Sequence, residues 1–147
     1  MEPVVSYYLL ENGRGVFKTA VGAVPGDMLL SSAQSFTREF AEVGPNLVYW
    51  LNDYSQLDGT GITVEHVRQI VRSSLIGARE HPGLLMAIVA SQDFEFALSR
   101  MWAALAGESE WSLAVFRRAD EAATWLQDQL GYPIDFGTRE LIATYLP

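Results

Sequence analysis

The chain of 147 residues contains no cysteine. Disulfides, zinc–thiolate sites, iron–sulfur clusters and thiol catalysis are therefore excluded. Basic residues are scarce: 10 Lys and Arg stand against 18 Asp and Glu, a formal charge of -8. Nucleic acid and anionic membrane surfaces require a basic face, so neither is expected as a partner. Charged residues make up only 19% of the chain against 49% apolar ones, the reverse of a disordered composition. Long hydrophobic runs are also missing. The longest, residues 84–90, is far short of the roughly 20 that cross a bilayer. Glu2 and the lack of a basic start argue against a signal peptide. The expectation is a cytoplasmic protein with no membrane insertion.

Catalytic signatures are missing as well. The sequence contains no Gly-x-x-x-x-Gly-Lys-Ser/Thr, no His-Glu-x-x-His, no Gly-x-Ser-x-Gly and no dinucleotide fingerprint. The two histidines, His66 and His81, fall at opposite ends of the expected sheet, so neither meets Ser91 as a base meets a nucleophile. His66 is read as a capping or solvated residue. Asp53, Asp58 and Asp93 follow strands, where aspartates cap helices and shape turns more often than they bind cations. The chain is expected to be non-catalytic, with no cofactor and no metal. Arg68 and Arg72, one turn apart, are read as surface charges paired with Glu65.

What the sequence does contain is an alternation of strand and helix patterns. Residues 4–10 are β-branched and aromatic, Asn12-Gly13 is a strong hairpin signal, and residues 15–21 run back. Pro25-Gly26-Asp27 marks a helix start. Leu29, Ala33, Phe36, Phe40 and Val43 then share one face, until Gly44-Pro45 stops them. Residues 47–51 and 84–90 are apolar at both parities, as strands covered on both faces are. Thr63 is the expected cap of a helix carrying Val64, Val67, Ile70, Val71 and Leu75. A third helix carries Phe94, Ala97, Leu98, Met101 and Leu105. After a strand at 111–116, Asp120 and Glu121 open a helix with Ala122, Ala123, Leu126 and Leu130 buried, closed by Gly131. The order β-β-α-β-α-β-α-β-α predicts one α/β domain with a mostly parallel five-stranded sheet and an N-terminal antiparallel hairpin. Leu141, Ile142 and Tyr145 have short-helix spacing. The tail, residues 131–147, is expected to pack on the domain, the alternative being a second copy in a homodimer. Trp50, Trp102, Trp111 and Trp125 fall within core-forming elements and are read as core or rim.

In open α/β sheets, ligands and partners meet the loops at the carboxyl ends of the strands. That rule gathers Asp53, Asp58, Gly59, Thr60, Gly61, Ser91, Arg117 and Arg118 into one candidate edge. The opening hairpin, the element order and the element sizes resemble the STAS, or SpoIIAA-like, fold of anti-sigma-factor antagonists and sulfate-transporter tails. Two segments carry the likeness locally. Leu57-Asp58-Gly59-Thr60-Gly61 is similar to the family's Asp-Ser-Ser/Thr-Gly motif. Residues 115–126 are similar to its closing strand and helix. The resemblance implies a regulatory module that docks a protein partner and is switched by phosphorylation of that motif. Gly59 stands where the family has its phosphorylated serine, which leaves Thr60, or Ser55 upstream, as the candidate phosphosite. Divergent STAS-like proteins also resemble lipid-binding domains. The second expectation is accordingly a binder of a small apolar or lipid-like ligand, supported by the high apolar fraction.

Overall fold

The computed structural model describes residues 2–39, 46–78, 80–107 and 109–147. In chain order the elements are β1 (Val4–Leu10), β2 (Gly15–Ala23), α1 (Gly26–Glu39), β3 (Tyr49–Asp53), β4 (Leu57–Asp58), α2 (Val64–Ala78), β5 (Leu85–Val89), α3 (Asp93–Leu105), β6 (Ser112–Phe116), α4 (Ala119–Leu130) and β7 (Arg139–Tyr145). The strands lie in the order β6-β5-β3-β2-β1-β7, and β4 pairs with the end of β2. β2/β3, β2/β4, β3/β5 and β5/β6 are parallel, whereas β1 is antiparallel to both β2 and β7. The element order and the α/β class match the expectation from sequence.

Two strands exceed the five expected. β4 has only two residues, too few to carry any periodicity. β7 replaces the short helix expected in the tail. Its register on β1 shifts between Tyr7 and Tyr8, so a bulge breaks the in–out alternation that would have announced a strand. The unpaired edge of β1 supplies the backbone partners, and that long-range opportunity outweighs a weak local spacing. The hairpin also closes differently from a two-residue turn. Leu10 pairs with Gly15, and the loop between them passes through a 3-10 turn with positive φ at Glu11 (50°), Asn12 (56°) and Gly13 (90°). Phe40, Val43, Gly44 and Pro45 lie outside the described residues; Leu29, Ala33 and Phe36 share the inward face of α1 as their spacing predicts.

The helices divide unevenly. α1, α2 and α3 cover one face of the sheet, packing on Val5, Tyr7, Val16 and Ala20 through residues such as Leu29, Phe36, Val67 and Val71. α4 alone covers the other face, where Ala122 and Leu126 meet Leu10, Tyr49, Leu51, Ala87 and Val89. β5 is sandwiched between the two layers, which explains its unbroken apolar sequence. α3 and α4 start without a side-chain cap, whereas α2 is capped reciprocally. Thr63 Oγ1 accepts the His66 backbone N–H (3.2 Å), and His66 Nδ1 accepts the Thr63 N–H (3.0 Å), so histidine fills the role glutamate has in a capping box. That leaves the proton of the neutral ring on Nε2, which donates to Asp27 Oδ1 (2.9 Å) and ties α2 to α1. The ring lies where a Cβ on Gly26 would stand, 2.1 Å from Nδ1, so this cross-link requires glycine there.

Candidate functional site

Between the three-helix layer and the sheet lies a cavity of about 280 Å³. Its walls are apolar, with Leu29 and Phe36 from α1, Ile70 from α2, Leu98 and Trp102 from α3 and Trp50 from β3. Tyr7 stacks on Phe36 (ring centroids 3.9 Å apart), and Trp50 meets Phe36 edge-on at 5.7 Å, so one wall is a continuous aromatic surface.

The floor is polar. Along one row across the sheet, Tyr7 pairs with Lys18 and Lys18 with Asn52, all pointing into the cavity. Lys18 is the chain's single lysine, and it is only 5% exposed. It sits at the parity of Val16 and Ala20, where β2 otherwise carries core residues. The ammonium lies 5.3 Å from the Tyr7 ring centroid and 5.6 Å from that of Tyr54. No carboxylate forms an ion pair with it among the described residues. Burial pushes its pKa down, but the oxygens of Tyr54 and Tyr7 more than offset this and hold it above the ordinary lysine value. Tyr7 is itself pushed up by burial, against the pull of Lys18, and stays a neutral phenol. Asn52 Oδ1 accepts from Trp50 Nε1 (3.0 Å) and from the Tyr54 hydroxyl (3.4 Å). Glu95, also 5% exposed, lines the cavity from α3 and accepts the Gly59 N–H at 2.8 Å.

The two ends of the cavity differ in exposure. Near the carboxyl ends of the strands its lining is largely closed: Lys18, Asn52, Leu57, Ile62 and Glu95 are buried and Tyr54 is half-buried. At the amino ends the lining reaches solvent through Ile76, which is 69% exposed, and through Glu80, His81, Ser73 and Trp111. The mouth therefore faces away from the loop edge that the sequence singled out.

That edge is assembled, and its side chains are occupied with one another. Ser91 Oγ donates to the Ser55 carbonyl (3.1 Å), and Arg117 reaches the Ser91 carbonyl and Asp93 Oδ1 (2.6 Å) while lying over the Phe96 ring. Asp53 Oδ1 accepts the Ser55 N–H and Asp58 Oδ1 the Thr60 N–H, the turn-forming role expected of them. Gly59 bonds Glu95, and the Gly61 carbonyl accepts the Gly26 N–H. Arg118 forks onto Asp120 (2.9 and 3.0 Å), apart from the others. Thr60 is exposed. None of Asp53, Asp58, Gly59, Thr60, Gly61, Ser91, Arg117 and Arg118 lines the cavity. Sequence reasoning passed over Lys18, Asn52, Tyr54 and Glu95. A signal for Lys18 was present, a lysine at the core parity of a strand. Three of the four tryptophans read as core or rim, Trp50, Trp102 and Trp111, line the cavity, and Trp125 packs on the α4 face.

No family model matches the chain, and no curated protein matches it. Among solved structures it is similar to an uncharacterized protein of the DUF3478 family with a SpoIIAA-like fold, from Shewanella loihica PV-4. The two share 16% sequence identity and a TM-score of 0.56, over 86% of this chain and 95% of that one. The chain has the SpoIIAA-like fold, as a divergent example of it, in agreement with the STAS-like order read from the sequence.

Proposed function

We propose that this protein is a non-catalytic module that binds a small, largely apolar ligand between its three-helix layer and the sheet. The observation that carries the reading is the cavity itself. At about 280 Å³ it falls just below the roughly 300 Å³ at which pockets for drug-sized ligands begin, which suits a smaller ligand, and it joins aromatic walls to a few polar groups. Trp50, Trp102 and Trp111 provide the readout. Titration with the neutral apolar dye N-phenyl-1-naphthylamine is expected to enhance dye emission saturably at one site per chain and to quench tryptophan. Ala33→Leu, which fills space in the cavity wall, is expected to weaken binding at least about tenfold, a loss of about 1.4 kcal/mol. Unsaturable dye emission, or binding indifferent to Ala33→Leu, would count against the pocket.

A second reading, a regulatory module docking a protein partner, is favoured by a separate observation. Val64 and Phe94, each 45% exposed, are large apolar residues at the starts of α2 and α3, on the same side as the exposed Thr60 turn. Phosphate on Thr60 would place about -1.5 to -2 charges beside Asp58 and the start of α2. Intact-mass spectrometry of protein from its native cells tests the switch; an unmodified mass under every growth condition removes it.

A further inference from the structure

We propose that the cavity's ligand is a monocarboxylic acid with a single apolar chain, its carboxylate held by Lys18 at the closed end and its chain directed toward the Ile76–Trp111 mouth. This rests on the ligand-binding reading above and adds the charge and orientation of the occupant. The first argument is the donor count. The floor presents the Lys18 ammonium, the hydroxyls of Tyr7 and Tyr54, the Trp50 indole N–H and the Asn52 amide. The Asn52 carbonyl oxygen already receives two of these donors. The phenol oxygens face the ammonium. A carboxylate brings two oxygens that only accept, which is what such a donor-rich floor lacks.

The second argument is charge. A buried ammonium gives up its hydration, which an apolar residue at this position of β2 would not do, and the phenol oxygens that hold it carry no negative charge to balance it. Glu95 is the one buried carboxylate among the described residues, and it is bonded to the Gly59 N–H and makes no ion pair with Lys18. A single unpaired positive charge matches a monoanion. A phosphate monoester, with about -1.5 to -2 charges, would leave negative charge uncompensated in a closed apolar space. Orientation follows from the gradient of exposure: the cation lies at the sealed end, and the apolar walls lead from it to the open end. The ammonium form of Lys18, favoured by the flanking phenol oxygens, makes it an anion holder and not a nucleophile for carbonyl compounds.

The test compares three ten-carbon probes at pH 8: decanoate, decan-1-ol and decyltrimethylammonium. Binding is read by tryptophan quenching and calorimetry on the full chain. Decanoate is expected to bind at least about tenfold more tightly than decanol, as charge-assisted hydrogen bonds do relative to neutral ones. Decyltrimethylammonium is expected to bind most weakly. Lys18→Met keeps the length of the side chain and removes the charge. It should erase the preference for decanoate to within about twofold while leaving decanol affinity within about threefold. Lys18→Gln keeps a polar group on the floor and removes the charge, and should likewise erase the preference for decanoate with little change for decanol, which preserves the test should Lys18→Met not fold. Equal affinity for acid and alcohol overturns the proposal and leaves the pocket reading standing. So does preference for the cation, which would put Glu95 in control, or a decanoate preference that survives Lys18→Met. Failure of all three probes to bind overturns both.

Discussion

The two faces of one sheet are built to different standards. On the α4 side a single helix closes a core in which Ala122 and Leu126 are fully buried and the sheet residues beneath them are nearly so. On the other side three helices cover the same strands and leave a cavity of about 280 Å³ with a buried lysine at its floor. Close packing is the default for protein interiors, and voids larger than a water molecule are few. Three helices supply more than enough apolar surface to close that face, so the open space is a property of the residues chosen for it. The contrast is between a face whose core is filled and a face whose core keeps a chamber.

The sharpest way to break that contrast is to truncate one leucine on each face. Leu126→Ala should cost about 2–5 kcal/mol, as for a fully buried leucine in a packed core. Leu98→Ala borders existing empty space and is half-buried, so it should cost about 1 kcal/mol. Urea unfolding measures both, and equal losses would mean that the two cores are packed alike. Adding volume inverts the experiment. Ala122→Leu has no room and should destabilise by about 1–3 kcal/mol. Ala33→Leu enters the cavity and should be neutral or stabilise by about 0.5–1 kcal/mol, at the expense of dye binding.

Alkaline pH acts on both faces, with a smaller effect. Lys18, Tyr7 and Tyr145 on the three-helix face have raised pKa values, and so does Tyr49 on the α4 face, through burial and its hydrogen bond to Glu11; Tyr145 is pushed up to about 12 by burial and by Glu39 nearby. A raised value means that the folded chain holds its proton where the unfolded chain has lost it. The stabilisation is complete below pH 10, the ordinary tyrosine value, and is lost as pH rises toward 12. Urea midpoints should therefore fall between pH 10 and 12, and Tyr145→Phe should flatten that slope. The smallest effect is reserved for the surface. Arg118→Ala, which removes an exposed pair with Asp120, should leave the urea midpoint unchanged within error.

Much of the architecture was legible because its signals are local. The hydrophobic spacing of Leu29–Ala33–Phe36, the two-sided apolar run of β5, the Thr63 cap and the left-handed Gly131 (φ 83°) each report their own element. β7 was misread because a bulge against β1 scrambles its period and because its partner lies more than a hundred residues away. The loop edge was legible as turn chemistry, and Asp53 and Asp58 behave as turn formers. The cavity was not legible. Its lining comes from β1, β2, β3, β5 and all three helices of one face, and a void leaves no trace in a pattern that records only which side chains are apolar.

Composition and periodicity alone determined the α/β alternation, the antiparallel start and the absence of thiols and of a P-loop motif, since each depends on residues adjacent in the chain or on their totals. Only the tertiary structure decided that Lys18, Tyr7, Asn52 and Tyr54 meet at the blind end of an apolar chamber, and that the chamber opens at the edge opposite the loops. The physical reason is that desolvation and empty volume are collective. They depend on how three helices sit over a sheet, and no single segment carries that information.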